Sequence, residues 1–397
     1  MSVVLSPGDV KLRDGRSVDF ANLDIAATAP CLRVVADAVA ELLPFYGSVH
    51  RGAGALSERC TREYEQARET VADVLGCGAG DTVVFTRNTT DAFNLLARAV
   101  PAGTTVVTFD TEHHANLLPW AGVVRLPAPR SADEAVGSLT RCLSSTGKNT
   151  LVSVTAASNV TGELWPVARL AAVAHRFGAR IAVDAAQLAP HAPVSLSDLG
   201  ADYVAFSGHK IYAPFGAGVL VGRADWLDAA EPYLAGGGAS ANVAFDGTVR
   251  WATGPARHEA GTPNLLGAVA LATALRALRE DSHEQALVTR LRAGLAGLPH
   301  VEELRLFGPE APRVGIVSFA VLGEDPGDLA VRLGRDHGIG VRTGLFCAHP
   351  LTRRLLAEAT ARLGAEAVPA QAVRASLGLG TTTEHVDRLL AALEQVA

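Results

Sequence analysis

The sequence predicts an α/β protein with a large domain on a mostly parallel β-sheet and a smaller α+β domain at the C-terminus. From about residue 80, short apolar runs that favour strands alternate with amphipathic helical segments, the pattern of a parallel sheet covered by helices on both faces. After about residue 270 the pattern changes to antiparallel strands and helices. The chain has 397 residues, of which 48% are hydrophobic, so it can bury the cores of two domains.

The elements of the large domain follow from these patterns in chain order. A long helix over Ser57–Leu75 begins at a serine and ends before Gly76, a common helix terminator. The predicted strands are Thr82–Thr86, Thr104–Phe109, Leu151–Ala157, Arg180–Asp184, Tyr203–Ser207 and Gly218–Gly222. Helices are predicted over Asn88–Val100 and Val167–Phe177, and an alanine- and leucine-rich helix over Leu265–Leu278 leads away from the sheet.

The smaller domain has its own set of predicted elements. Val301–Leu306 and Val314–Val321 are predicted to be antiparallel strands. Helical spacing is found over Asp328–His337, Leu351–Leu363 and Glu384–Val396. The predicted division of the chain is an N-terminal segment (1–25), a large domain (26–270) and a small C-terminal domain (271–397).

The composition argues against several kinds of binding partner and indicates the cellular compartment. The net charge is −6 and no lysine or arginine run is present, so no nucleic-acid partner is expected. No apolar run approaches the length of a membrane span, and the N-terminus lacks the pattern of a signal peptide. The five cysteines are scattered without CxxC spacing, which does not favour a disulfide or zinc framework. We therefore expect a cytoplasmic protein without a membrane partner.

Two residues at the ends of neighbouring predicted strands indicate a cofactor. The apolar run Tyr203–Phe206 leads into Ser207-Gly208-His209-Lys210, and the run Ile181–Val183 ends in Asp184. Pyridoxal 5'-phosphate (PLP) needs a lysine for its Schiff base and a carboxylate beside its pyridinium nitrogen. Lys210 alone could be a surface residue, and Asp184 alone could cap a helix. Together they predict PLP.

Other residues near this pair could hold the remaining parts of the cofactor. Gln187 could reach the phenolic oxygen, although a solvent-exposed glutamine is nearly as common. Asn88-Thr89-Thr90 opens a predicted helix, whose N-terminus favours a phosphate or is simply capped there. Ser207 and His209 can add donors to the phosphate, and an imidazole of the segment Glu112-His113-His114-Ala115-Asn116 could stack on the pyridine ring. Adjacent histidines rarely chelate one ion, and no acid or cysteine cluster stands nearby, so no metal site is predicted.

Three residues near the C-terminus could act on a substrate. Cys347 follows Arg342-Thr343-Gly344 in a loop before a predicted helix, so it could be a reactive thiolate or a buried structural cysteine. Arg342 and Arg374 could clamp a substrate carboxylate, because a guanidinium binds carboxylate with two hydrogen bonds. Arg374 precedes a strand-like Ala-Ser-Leu and is expected to point inward.

These residues match a known family. The chain resembles the class V, fold-type I PLP-dependent enzymes, and among them the group II (Suf-type) cysteine desulfurases and selenocysteine lyases. The matching segments are Val49-His50-Arg51-Gly52, Leu56-Ser57, Tyr64-Glu65-Gln66-Ala67-Arg68, Thr89-Thr90, Asn94-Leu95, Glu112-His113-His114-Ala115-Asn116, Ser158-Asn159-Val160-Thr161-Gly162, Asp184-Ala185-Ala186-Gln187, Ser207-Gly208-His209-Lys210, Glu259-Ala260-Gly261-Thr262-Pro263-Asn264, Arg342-Thr343-Gly344, Cys347-Ala348 and Arg374-Ala375-Ser376. The resemblance implies a mostly parallel seven-stranded sheet in the large domain.

The resemblance also implies an activity and a role for each residue. Lys210 would form the Schiff base and carry the proton at the substrate Cα. The residues that would bind the cofactor are Asp184, Gln187, His113, Thr89, Thr90, Ser207 and His209, with Thr262 of the partner subunit. Asn159 and Arg374 would orient the substrate carboxylate, and Cys347 would take sulfur from L-cysteine as a persulfide while alanine is released. The enzyme would be a homodimer and pass the sulfur to an acceptor protein.

The sequence departs from the family pattern in three places, two of them next to Cys347 and one just after His50-Arg51-Gly52. Leu345 and Phe346 stand where the family commonly has histidines, and Gly54 stands where a histidine is common. The stretch between Cys347 and Arg374 is longer than usual. The acceptor, and selectivity among cysteine, selenocysteine and larger thioethers, are therefore left open. The alternative hypothesis is a PLP-dependent C–S lyase, epimerase or aminotransferase in which Cys347 is not catalytic.

Overall fold

The computed structural model describes residues 3–146, 149–278 and 282–396. In this part of the chain the strands are β1 (Asp9–Lys11), β2 (Ser17–Asp19), β3 (Ala21–Asn22), β4 (Asp81–Thr86), β5 (Thr105–Phe109), β6 (Val123–Leu126), β7 (Thr150–Thr155), β8 (Arg180–Asp184), β9 (Tyr203–Ser207), β10 (Gly218–Arg223), β11 (Ser240–Val243), β12 (Val249–Trp251), β13 (Val301–Glu303), β14 (Ile316–Val321), β15 (Ile339–Gly340), β16 (Arg342–Gly344) and β17 (Ala372–Ser376).

The helices lie between these strands along the chain, in both domains. They are α1 (Arg33–Leu42), α2 (Ala55–Leu75), α3 (Thr89–Ala99), α4 (His114–Leu117), α5 (Ala132–Thr146), α6 (Val167–Arg176), α7 (Leu196–Leu199), α8 (Ala224–Ala229), α9 (Leu265–Ala277), α10 (Ser282–Ala296), α11 (Pro326–His337), α12 (His349–Arg362) and α13 (Thr383–Glu394). Short 3₁₀ turns lie at Leu43–Phe45 and Gly254–Arg257.

The large domain is built on a seven-stranded sheet, in the order β4-β10-β9-β8-β7-β5-β6. Strand β10 pairs antiparallel with both β4 and β9, and the remaining pairs are parallel. The predicted mostly parallel sheet is therefore confirmed. Strands β8 and β9 have the predicted bounds because every residue of their central run is apolar and buried on both faces. Edge strand β6 was missed, since two of its four residues are exposed.

The register of the sheet brings the functional strand ends together. In β8 and β9, Asp184 pairs with Ala205, and Thr155 at the end of β7 pairs with Asp184. The carboxyl ends of parallel strands are where open α/β sheets bind ligands. The chain leaves β9 at Ser207 and reaches Lys210 within a turn, so the acid and the lysine lie at the same edge of the sheet.

The long helix α2 begins two residues before the predicted start. Its N-cap is Gly54, which has no side chain that could cap the helix. Ser57 is therefore not the cap; its Oγ lies 3.1 Å from Ser48 Oγ instead. The predicted C-terminus is correct, because Gly76 takes the left-handed conformation (φ 68°) that ends the helix.

The smaller domain contains the antiparallel sheet β13-β14-β17-β16. Its predicted first two strands pair as expected, Val301 opposite Val321. One local prediction was wrong: Arg374 lies inside β17 rather than before a strand, although its side chain is buried as expected. The short strand β3 pairs in parallel with β15, which ties the N-terminal segment to this domain. The proposed domain boundaries stay predictions.

Candidate active site

A cavity of about 280 Å³ lies at the carboxyl edge of the large sheet. Its lining includes every predicted site residue except Thr262, namely Thr89, Thr90, His113, Asn159, Asp184, Gln187, Ser207, His209, Lys210, Arg342, Cys347 and Arg374. Thr262 is exposed in the loop before α9 and does not line this cavity. The fold therefore gathers residues that are far apart in sequence into one pocket.

Lys210 and Asp184 form the electrostatic centre of the cavity. Asp184 is 4% exposed, and its Oδ1 accepts a hydrogen bond of 2.9 Å from the Ala186 amide. Burial raises the pKa of Asp184, and the charge of Lys210 opposes this rise. Burial lowers the pKa of Lys210 to about 8. The negative charge of Asp184 opposes this fall, and the positive charge of Arg374 adds to it. A cationic pyridinium N–H beside Asp184 would offset the cost of burying its carboxylate.

His113 is held as a neutral ring in the cavity wall. Its Nδ1 accepts a hydrogen bond of 3.0 Å from the Ala115 amide at the start of α4. Burial, reinforced by the charge of Lys210, lowers the pKa of His113 to about 3. An uncharged imidazole can therefore stack on a pyridine ring throughout the neutral pH range.

The start of α3 forms the phosphate end of the cavity. The Thr89 amide donates to Ser207 Oγ at 2.8 Å, and the Thr89 and Ser207 hydroxyl oxygens lie 2.7 Å apart. Asn88 caps the helix by accepting from the Asp91 amide at 3.0 Å and also lines the cavity. The N-terminus of a helix, with two hydroxyl side chains beside it, suits a phosphate.

Gly218 lets β10 pack directly against this phosphate end. A Cβ at this position would lie 2.7 Å from Asn88 Cα and 2.9 Å from the Phe206 carbonyl oxygen. We expect Gly218→Ala to lower the free energy of unfolding by about 1–3 kcal/mol, the usual cost of overpacking, and to weaken PLP binding. Thermal unfolding and PLP titration measure both effects. Gly80→Ala is the control, since a Cβ there meets no atom within 4 Å; equal effects of the two changes would contradict the prediction.

Gln187 offers a further hydrogen-bonding group to the cofactor. Its Nε2 donates to the Ala26 carbonyl at 2.9 Å, while its buried Oε1 has no hydrogen-bond partner within the described part of the chain. A buried polar atom without a partner is costly, and the phenolic group of PLP would complete this amide. An amine, a carboxylate, a neutral imidazole, a helix N-terminus and this amide together fit PLP.

The opposite side of the cavity carries a buried cation. Arg374 is 3% exposed; its Nη1 donates to the Asn159 carbonyl at 3.0 Å, and its Nε has no hydrogen-bond partner among the residues that the structure describes. Burial lowers the pKa of Arg374 to about 10, so the guanidinium stays charged at neutral pH. The Phe346 ring centroid lies 4.9 Å from Arg374 Cζ. Asn159 Nδ2 donates to the Phe346 carbonyl at 2.7 Å, which fixes the Cys347 loop.

Cys347 is exposed, so the alternative of a buried structural cysteine is wrong. Phe346 and Cys347 both have left-handed backbone angles (φ 51° and 52°), which cost about 1–2 kcal/mol each for such residues. The conformation is held by the His114 amide, which donates to the Cys347 carbonyl at 2.7 Å. The Cys347 sulfur lies close enough to Lys210 and Arg374 that a negative charge on it would raise the pKa of both groups.

Sequence reasoning missed two acidic residues next to the cavity. Glu112 is fully buried; its Oε2 accepts from Asn116 Nδ2 at 2.7 Å, and burial raises its pKa to about 8. Asp24 contacts both Arg342 and Arg374. No local pattern could reveal Asp24, because its partners lie in the C-terminal third of the chain.

The lowered pKa of Lys210 gives a pH prediction for the cofactor-free protein. Only the neutral amine attacks an aldehyde, so the rate of covalent PLP capture should rise with pH and level off above about 8. Because Asp184 favours the charged amine, Asp184→Asn should move this profile to lower pH. Stopped-flow absorbance over a pH series measures it. A rate that still climbs towards about 10, as for an ordinary lysine, would contradict the prediction.

Comparisons with known proteins place this geometry in a family. The aminotransferase class-V family model matches residues 21–389. A cysteine desulfurase of Klebsiella pneumoniae is 37% identical over 402 residues, covering 97% of this chain and 95% of the relative. A probable cysteine desulfurase of Vibrio cholerae is 34% identical, covering 94% and 92%.

Solved structures give the same result. The apo structure of a cysteine desulfurase from Thermococcus onnurineus has a TM-score of 0.82 and 34% identity, covering 95% of this chain and 94% of that one. A cysteine desulfurase of Escherichia coli in the S-sulfonic acid form has a TM-score of 0.80 and 34% identity, with the same coverage. The family uses PLP, which confirms the predicted cofactor. The chain belongs to the aminotransferase class-V family of PLP-dependent enzymes.

Proposed function

We propose that the protein is a PLP-dependent cysteine desulfurase that converts L-cysteine to L-alanine and holds the released sulfur as a persulfide on Cys347. One observation carries this proposal: a single cavity is lined by the Lys210–Asp184 pair, the buried cation of Arg374 and the exposed Cys347. The similar proteins named cysteine desulfurase or probable cysteine desulfurase, at 34% to 37% identity over nearly the whole chain, support it.

The chain's own residues would divide the chemistry among them. PLP, when bound, supplies an electron sink for the bonds at the substrate Cα. Lys210 would hold the cofactor and move the proton at Cα, because its lowered pKa makes the neutral amine accessible. Asp184 would keep the ring nitrogen protonated. His113 would stack on the ring as a neutral imidazole.

The roles of the residues on the substrate side of the cavity follow from their charge, exposure and hydrogen bonds. Arg374 would bind the α-carboxylate, because its guanidinium is buried, charged and has an unpartnered Nε. Asn159 would fix the loop that carries Cys347, through its bond to the Phe346 carbonyl. The Cys347 sulfur would attack the sulfur of L-cysteine and form a sulfur–sulfur bond as the Cβ–S bond breaks. The bonding pair would stay on Cβ, which takes up a proton to give alanine. Because Cys347 is exposed, an acceptor thiol could then take the sulfur.

The proposal includes a homodimer. Thr262 is exposed and lies outside the cavity of its own subunit. Apolar side chains are also exposed around the β11–β12 hairpin, with Val243 61% and Phe245 115% exposed. A second copy that covered this face would bury them and bring Thr262 to the other cavity. Sedimentation of the holoenzyme tests this: an active monomer would contradict it. A cytoplasmic location stays a prediction from the five free cysteines.

No helix among residues 3–146, 149–278 and 282–396 combines the length and apolar character needed to cross a bilayer. The same residues contain no group of three or more histidine, cysteine or acidic side chains that could hold a metal ion.

Product analysis tests the proposed activity against its nearest alternative. The holoenzyme is incubated with L-cysteine and a reducing thiol, and alanine, pyruvate, ammonia and sulfide are measured. A desulfurase gives alanine and sulfide in equal amounts. A C–S lyase gives pyruvate, ammonia and sulfide, because it eliminates the thiol and the resulting enamine hydrolyses. Pyruvate in place of alanine would overturn the proposal.

A further inference from the structure

A turn formed by residues 158–162, between β7 and α6, carries Asn159 into the cavity wall. Within the turn, the Gly162 amide donates to the Ser158 carbonyl at 2.9 Å, and the Val160 amide donates to Ser158 Oγ at 3.2 Å. These bonds make the turn one compact unit, so a displacement of any part of it also moves Asn159.

Donors of the smaller domain hold this turn by its carbonyl groups. Arg374 Nη1 in β17 donates to the Asn159 carbonyl at 3.0 Å, and Ser318 Oγ in β14 donates to the next carbonyl, that of Val160. Asn159 Nδ2 donates in turn to the Phe346 carbonyl at 2.7 Å. The turn therefore follows a strand of the large sheet in sequence, but its hydrogen bonds tie it to the small sheet.

Ser318 and Arg374 are neighbours across the small sheet. They are Cα partners in the antiparallel pair of β14 and β17, so their side chains leave the same face of the sheet. Both are buried, at 0% and 3% exposed. They bind adjacent carbonyls of one turn, so the bond from Ser318 to Val160 also sets where the Asn159 carbonyl meets the guanidinium.

The second half of the turn is fixed by its backbone. Gly162 has a left-handed conformation (φ 73°), and a Cβ there would collide with the Ile316 carbonyl oxygen in β14. The Val314 amide donates to the Gly162 carbonyl at 2.9 Å. The first half of the turn is held by side chains instead, and removal of the Ser318 hydroxyl would leave a buried carbonyl without its donor.

These contacts orient the guanidinium of Arg374. Its Nη1 is bonded to the Asn159 carbonyl, and its Nη2 lies 3.4 Å from Asp24 Oδ1. Its buried Nε finds no acceptor in the described ranges of the chain. A guanidinium binds a carboxylate through two parallel N–H bonds, and this requires that its plane is turned towards the ligand.

We propose that Ser318 is a positioning residue for the substrate. Its hydroxyl fixes the turn at Val160, the turn places the Asn159 carbonyl, and that carbonyl sets the plane in which Arg374 binds an α-carboxylate. Ser318 is fully buried and is not part of the cavity lining, so it acts without touching the substrate. The inference rests on the proposed function in one respect, that Arg374 binds the α-carboxylate of an amino acid.

Ligands with and without a carboxylate test this role. Ethylamine is L-alanine without its α-carboxylate. The dissociation constants of both ligands for the holoenzyme are measured from the change in the visible absorbance of the bound cofactor. We expect Ser318→Ala to raise the constant for L-alanine about tenfold, the size of one hydrogen bond. The constant for ethylamine should stay the same, because Arg374 has no carboxylate to bind in that ligand.

Two further variants separate positioning from general loss of structure. Thr360→Val is the matched control, since it deletes another buried hydroxyl, whose Oγ1 donates to the Leu356 carbonyl at 2.8 Å within α12. It should change neither constant. Arg374→Lys keeps the charge without the planar fork. In that background Ser318→Ala should change the constant for L-alanine by less than about twofold, because the contact through which it acts is already lost.

Hydrogen exchange examines the same contact without the cofactor. In the cofactor-free protein, we expect Ser318→Ala to speed amide exchange in peptides that cover residues 158–162 by about tenfold, because loss of the bond to Val160 favours local opening of the turn. Thr360→Val should leave the exchange of these peptides unchanged. This measurement depends on neither PLP nor a substrate.

The outcomes also separate this inference from the proposed activity. In Ser318→Ala, an unchanged constant for L-alanine, equal changes for both ligands or unchanged exchange of the turn would overturn the inference, as would a full effect in the Arg374→Lys background. If the constant for L-alanine alone shifts but L-cysteine yields no alanine, the proposed activity fails and the role of Ser318 stands. If L-cysteine yields alanine and the constant does not move, the activity stands and Ser318 is not a positioning residue.

Discussion

Replacing Lys210 with alanine is expected to abolish activity and covalent cofactor binding together. Among the residues that the structure describes, no other lysine lines the cavity. The loss in the rate of L-cysteine turnover should be about 10⁴-fold or more, since a positioned proton-transfer group alone contributes up to about that much. Turnover of L-cysteine and borohydride reduction followed by peptide mapping measure the two effects. Lys210 is half-buried at the cavity wall, so the fold should survive its truncation.

A charge-preserving control accompanies this change. Lys210→Arg keeps a cation beside Asp184, but a guanidinium cannot form the covalent link at neutral pH. We expect it to bind PLP reversibly and to be as inactive as Lys210→Ala. Either variant retaining reducible, covalently bound PLP would contradict the assignment of this lysine.

Replacing Cys347 with alanine is expected to stop sulfur release while leaving the cofactor in place. The thiol is exposed and near Lys210 and Arg374, but none of its atoms is needed to enclose PLP. Formation of alanine and sulfide from L-cysteine should fall to background, and the visible spectrum of the holoenzyme should be unchanged. Assays of both products under reducing conditions measure this.

Cys142→Ala is the matched control for this change. Cys142 is also free and partly exposed, but it lies in α5 against the large-domain core and does not line the cavity. Its replacement should leave turnover unchanged. If Cys347→Ala still released sulfide at the original rate, Cys347 would be incidental and a C–S lyase would become the better explanation.

The parts of the site that the sequence predicted share a physical property. Strands β8 and β9 are continuous apolar runs because both faces are buried, and such runs end abruptly at the first polar residue. Asp184 and Ser207 mark those ends. Since the ends of parallel strands meet at one edge, two short segments were enough to predict an amine and a carboxylate in one pocket.

The parts that the sequence could not predict depend on long-range contacts. Asp24 joins the site only because the N-terminal segment pairs with β15 and β17, far along the chain. The side chain of Asn159 lines the cavity, and its bond to the Phe346 carbonyl, which fixes the Cys347 loop, was not predicted. No local periodicity encodes which distant segment will supply a charge or a carbonyl.

The departures from the family pattern have a structural consequence. Phe346 stands where histidines are common, and its ring lies on the Arg374 guanidinium. Leu345 packs against the large-domain core. The loop thus places apolar groups beside Cys347. Thr352, near the start of helix α12, anchors the loop, because its Oγ1 donates a hydrogen bond of 3.1 Å to the Leu345 carbonyl. None of the changed residues is one of those predicted to bind the cofactor.

The position of the sulfur after a single turnover decides whether Cys347 receives it. The holoenzyme is mixed with L-cysteine without reductant, alkylated, digested and analysed by peptide mass spectrometry. We expect the peptide containing Cys347 to gain the mass of one sulfur atom, while the peptides of Cys31, Cys60, Cys77 and Cys142 do not. Sulfide released with no added sulfur on the Cys347 peptide would contradict it.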